Sequence, residues 1–140
     1  MGTGRFWATA IAVWLVRTVM NAVFYGILLA PRFAAVAAQH PGMFRTVVPA
    51  YLLFAIVFTL LFSKVGAGLG DGVTGGIALG LFVAILAPAI GSVYEYYSVT
   101  YVSAKLQWAT VIYQVLAHIV QGIIAGALYK TGASTRGGTA

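Results

Sequence analysis

Four long apolar runs, with most of the charge in the joints and ends that bound them, constrain this chain more than any motif in it. The first extends from about Phe6 to Ala30 and stops at Pro31 and Arg32. The second covers about Thr46 to Phe62 and ends at Ser63 and Lys64. After a glycine-rich joint, Gly66 to Gly72, a third runs from about Val73 to Tyr97, interrupted by Pro88. The last spans about Leu106 to Tyr129, ahead of a polar, flexible tail over 130–140. Crossing a hydrocarbon core takes about 20 helical residues, and alternating strand-length segments of the barrel type are absent. The expected fold is therefore all-α: one transmembrane domain, a four-helix bundle with helices near 6–30, 46–62, 73–97 and 106–129, the third kinked at Pro88.

Composition agrees with this reading. Hydrophobic residues make up 61% of the chain and charged ones 7%, against about 45–50% and 25% in soluble domains. Ala35, Val36 and Ala37 mimic a signal-peptide cleavage site, but the apolar run before them exceeds the usual 7 to about 15 residues and Arg17 interrupts it, so a retained helix is expected. The positive-inside count is nearly balanced: Arg5, Lys64, Lys130 and Arg136 on one side, Arg32, Arg45 and Lys105 on the other, which favours cytoplasmic termini by one charge. The net charge of +6 comes from scattered anchors and includes no basic run, so nucleic acid is not an expected partner. With no cysteine, disulfides and thiolate chemistry are excluded.

Small residues provide the clearest packing signal. Gly68, Gly72, Gly76 and Gly80 recur every four residues, with Ala84, Pro88 and Ser92 continuing the ridge, and Gly122 and Gly126 form a shorter version on the last helix. Such smooth stripes let helix backbones approach closely in lipid. The expectation is that the two ridges meet each other or the first helix, with contact to another protein as the alternative. Although Gly66 to Gly72 superficially resembles a phosphate loop, no strand precedes it and no Lys with Ser or Thr follows.

Polar residues inside the runs form a second pattern, because each is costly in hydrocarbon unless paired or wet. Arg17 and Asn21, with Tyr25, share one face of the first helix at four-residue spacing. Gln114 and His118, with Gln121 adjoining, mark the fourth. These are expected to line one interior, with Glu95 as the obvious charge partner of Arg17. As structure, the cluster is interhelical glue, at about 1 kcal/mol per hydrogen bond. As function, it is a site for an anion or for proton transfer. A haem reading lacks a second intramembrane histidine, since His40 falls in a joint.

Trp7, Trp108 and Tyr129 sit near helix ends as interfacial anchors, and Tyr94, Tyr96, Tyr97 and Tyr101 crowd the last joint. An aromatic belt is the default reading; a quinone, pigment or lipid contact at the four tyrosines beside Glu95 is the alternative, and bound lipid is expected on the protein with no cofactor otherwise predicted. Asp71 and Glu95 are the only carboxylate side chains, and no nucleophile stands beside a base, so neither catalysis nor a metal site is expected.

The run Asn21, Ala22, Val23, Phe24, Tyr25, Gly26, Ile27, Leu28, Leu29, together with Phe62, Ser63, Lys64 and the later Gly68, Leu69, Gly70, Asp71, Gly72, resembles a family of small uncharacterised four-helix bacterial inner-membrane proteins. The resemblance spans most of the chain and implies four helices and a bacterial inner membrane, with no activity attached. Relatives often carry an acidic residue and a histidine where this chain has Asn21 and Tyr25. The functional expectation is a non-enzymatic accessory or structural subunit of a larger membrane complex, respiratory and photosynthetic complexes being candidates, with membrane lipids and other subunits as partners. The alternative is a small carrier or channel-like protein with a polar intramembrane site.

Overall fold

The computed structural model describes residues 3–31, 43–89, 91 and 103–129, which are almost wholly helical. Four helices result: α1, Thr3–Val23; α2, Met43–Leu69; α3, Gly72–Ala84; and α4, Ala104–Leu128. The segments Thr3–Leu28, Val47–Leu69 and Ala104–Leu128 are long and apolar enough to cross a membrane, whereas α3 is a shorter apolar helix. The chain divides into two compact units, Met1–Leu60 and Leu61–Ala140, which are described in turn.

In the first unit, α1 continues into a π-helical turn, Phe24–Leu28, closed by the Leu29 amide donating to the Phe24 carbonyl at 2.9 Å. The helix is inverted in polarity relative to a water-soluble one. Trp7, Ile11, Leu15, Val19, Val23 and Ile27 are exposed at four-residue intervals, while Thr9, Ala10, Val13, Arg17 and Asn21 are buried. Apolar residues outward and polar residues inward is the pattern suited to lipid as solvent. Thr9 and Thr18 turn their hydroxyls back onto the carbonyls of Arg5 and Trp14, each at 2.9 Å, which conceals the polar group within its own helix. The Trp14 indole donates to the Val48 carbonyl of α2 at 3.2 Å, just before Pro49, which has no N–H to give the helix ladder.

The second helix is longer than the sequence suggests at both ends. It passes through Ser63 and Lys64 and ends only at Leu69. Gly66 does not break it, because its missing side chain makes room for the Phe62 ring, whose nearest atom would lie 2.7 Å from an added Cβ. The chain then reverses through Gly70 and Gly72, whose φ angles of 139° and 48° are ones that residues with a Cβ rarely adopt. Asp71 sits at the N-cap of α3 without using its side chain, and the Thr74 amide bonds its carbonyl at 3.0 Å.

The second unit is organised by the pairing of α3 with α4. A Cβ on Gly76 would collide with the Gly122 carbonyl, and one on Gly122 with the Gly76 carbonyl; Gly126 faces the Gly72 carbonyl and Gly80 the His118 carbonyl. Each step of four up α3 is a step of four down α4, so the helices are antiparallel with their backbones in direct contact. The reciprocal geometry suits Cα–H···O=C contacts, worth about 0.5–1 kcal/mol each. Ala84, fully buried, continues the ridge. From Ile85 the chain leaves α geometry, and Ile85–Ala89 form a π-helical turn that contains Pro88. Ser103 starts α4 slightly earlier than expected by accepting from the Leu106 amide at 3.3 Å, a normal N-cap role.

Gly68, read from the sequence as the first member of the third helix's ridge, belongs instead to α2, is exposed, and has nothing within 4 Å of an added Cβ. The reason is the late helix end: the reversal at Gly70 and Asp71 separates Gly68 from the stripe it continues in spacing. Replacing Gly76 by Ala should therefore destabilise the protein by about 1–3 kcal/mol through overpacking, while Gly68→Ala should be neutral or stabilising by up to about 1 kcal/mol. Thermal unfolding of both variants in the same detergent checks this contrast.

Candidate functional site

Each unit buries polar side chains that a helix in water would turn outward. In Met1–Leu60, Arg17 is 5% exposed and Asn21 is also buried, on the same face of α1. The Arg17 guanidinium carbon lies 5.6 Å from the centre of the Tyr51 ring of α2, within cation–π range and in a desolvated setting where such a contact is worth more than at a surface. The Trp14 bond to Val48 fixes α1 against the same turn of α2. This unit contains no Asp or Glu, so an aromatic face is one of the few counterparts for the Arg17 charge within it. Thr59 is fully buried too, and among the described residues its hydroxyl finds no hydrogen-bond partner.

In Leu61–Ala140 the polar groups lie on α4. The His118 Nδ1 is 2.6 Å from the Gln114 carbonyl. A carbonyl can only accept, so Nδ1 carries a proton and, in the neutral ring, Nε2 is the acceptor nitrogen. The His118 backbone is also what Gly80 packs against, while the imidazole is held by its own helix. Gln107 is buried as well.

Gln121 is the outlier. It is fully buried, and neither Oε1 nor Nε2 has a hydrogen-bond partner among the described residues. It stands on a second buried ridge of α4, Tyr113, Ala117, Gln121, Ala125 and Tyr129, at four-residue spacing and distinct from the glycine face. The Tyr129 end of the ridge meets the Phe62 ring edge to face, with centroids 6.0 Å apart. Burying an amide with no partner costs about 2–7 kcal/mol.

The structure thus buries Arg17 and Asn21 in one unit and His118 and Gln121 in the other, whereas Gln114 is only partly buried and Glu95 lies outside the described residues. The tyrosines at 94, 96, 97 and 101, and His40, lie outside them too. Of the glycines, Gly72, Gly76, Gly80, Gly122 and Gly126 meet across the α3–α4 pair, and Gly68 does not. Sequence reasoning missed Gly75, which packs on the carbonyls of Gly66 and Gly70 and so seats α3 against the end of α2. Its signal was the Gly75–Gly76 doublet, which serves two faces where a ridge needs one. Tyr51 was missed because an aromatic counter-group for Arg17 has no fixed spacing in sequence. Among the described residues, no group of three or more His, Cys, Asp or Glu side chains is placed to hold a metal ion.

The Arg17–Tyr51 contact is measurable. A double-mutant cycle with Arg17→Leu and Tyr51→Leu should give a coupling of about 0.5–2 kcal/mol in unfolding free energy, while additive effects would show that the ring and the guanidinium are merely neighbours. Comparison of the chain with protein-family models, with characterised proteins and with solved structures finds no match.

Proposed function

We propose that the protein is a non-enzymatic, structural subunit of a larger membrane assembly, crossing a bacterial inner membrane four times with both termini in the cytoplasm and the third crossing bent at Pro88. The observation that supports this reading best is the α3–α4 pair. Its backbones touch at successive turns through Gly72, Gly76, Gly80, Gly122 and Gly126, which leaves no side-chain layer to slide or open between them. The outward side of the same pair presents large apolar side chains: Leu81, Phe82, Ile85 and Leu86 from the α3 segment, and Trp108, Ile112 and Leu116 from α4. A stiff hairpin with apolar outer faces is suited to holding neighbouring helices and lipid in place. A respiratory or photosynthetic complex fits a subunit of this size.

A second reading, a small carrier or channel-like protein, is favoured by the burial of Arg17, Asn21, His118 and Gln121, since ionisable and amide groups in a membrane interior often serve solutes or protons. Purification of the tagged protein from its native membrane in gentle detergent, with mass spectrometry and an absorption spectrum, separates the two. Stoichiometric partners or pigment are expected if it is a subunit; a colourless particle without partners overturns that. Arg17→Leu should then change assembly or yield, whereas loss of a solute-dependent response with assembly intact would favour the carrier.

A further inference from the structure

We propose that the outer face of α4 beginning at Lys105 is a binding site for an anionic phospholipid of the surrounding bilayer. Lys105, Trp108, Ile112 and Leu116 follow one another at spacings of three and four residues and so share one side of the helix. All four are exposed, the last three by 62%, 58% and 55%. Polarity is ordered along this column as it is along a lipid: a cation first, then an indole with its N–H, then branched aliphatic chains. The rise from Lys105 to Leu116 is about 16 Å at 1.5 Å per residue, and one half of a hydrocarbon core is about 15 Å thick. A phosphate level with Lys105 therefore leaves its acyl chains beside Ile112 and Leu116, with Trp108 at the boundary where indole rings settle.

Charge selects the headgroup. The helix contains no Asp, Glu or Arg, and Lys105 is its one lysine, so no acid on the column offsets the ammonium. A headgroup of net negative charge meets it, whereas a zwitterionic one brings a cation of its own. Direction matters as well as charge. The Cα–Cβ bond tilts toward the helix N-terminus, which carries Lys105 off the start of α4 toward the headgroups and leaves the column below it open. Lys64, near the C-terminal end of α2, is tilted back over its own apolar turn. At Arg45 the face is occupied, because the carbonyl of Val48, one turn on, accepts the Trp14 indole of α1. The inference rests on the membrane placement of α4 and not on the choice between subunit and carrier.

The test uses the full chain in vesicles of equal parts phosphatidylglycerol and phosphatidylcholine, with bromine on the acyl chains of one lipid or of the other. Trp108 emission is isolated by subtracting the spectrum of Trp108→Phe. Brominated phosphatidylglycerol is expected to occupy the quenching position about fivefold more often than brominated phosphatidylcholine, with the preference lost in Lys105→Gln and kept in Lys64→Gln. Equal quenching by the two lipids, a preference that survives Lys105→Gln, or one that Lys64→Gln abolishes equally overturns the proposal. Emission that neither lipid quenches in vesicle-inserted protein also overturns it, since another protein surface would then cover the column. Protein that separates from the vesicles on flotation would overturn the membrane reading together with the proposal, which distinguishes that failure from the others.

Discussion

Direct contact between two helix backbones is the constraint on which the second half of this molecule depends. The carbonyls of Gly76 and Gly122 each occupy the place where the other's side chain would be, and one turn away the Gly72 carbonyl occupies that place for Gly126. A Cβ at either central position has backbone to displace, which cannot turn aside as a flexible side chain would. The contact fixes the antiparallel register of α3 and α4, and Gly75, on the neighbouring face of α3, fixes its start against the carbonyls that end α2. The positive φ angles at Gly70 and Gly72 belong to the same device, since a tight reversal is needed to bring α3 back so soon.

Around this framework the distribution of polarity is reversed. The exposed faces of α1 and α4 carry Trp, Ile, Leu and Val at helical spacing, and the buried faces carry Arg17, Asn21, His118 and Gln121. Three helices long and apolar enough to cross a bilayer, with polar groups turned away from their outer faces, fit a multi-pass membrane protein. The polar groups along these helices differ in how they are accommodated. Thr9, Thr18 and Thr110 return their hydroxyls to carbonyls of their own helices, His118 does so through Nδ1, and Arg17 stacks over Tyr51. Gln121 has no hydrogen-bond partner among the described residues.

Helix number and type were legible in the sequence because hydropathy reports them directly: long apolar runs bounded by charge can satisfy their backbones in lipid only as helices. Helix ends were less legible. Ser63 and Lys64 read as a stop, yet α2 continues to Leu69, because a helix terminates where the backbone turns, at Gly70, and a lysine can extend its charge outward without ending anything. The four-residue glycine spacing signalled close packing but could not distinguish which glycines share a helix, so Gly68 was grouped with a ridge from which the reversal removes it. Nor could spacing show that Gly75 works on a different face from Gly76. For the polar residues, the sequence identified unusual positions such as Arg17 and Gln121, while a counter-group such as the Tyr51 ring beside Arg17 depends on tertiary packing that periodicity does not encode.

The central claim, that α3 and α4 touch through their backbones, is tested most directly by solid-state nuclear magnetic resonance of glycine-labelled protein in lipid bilayers. Carbon–carbon transfer from the Gly76 Cα to the Gly122 carbonyl carbon, and from Gly126 to Gly72, is predicted, since these atoms are in van der Waals contact. Spectra in which glycine correlations are confined to sequence neighbours and single helical turns would contradict the account, and would mean that side chains from elsewhere separate the two ridges.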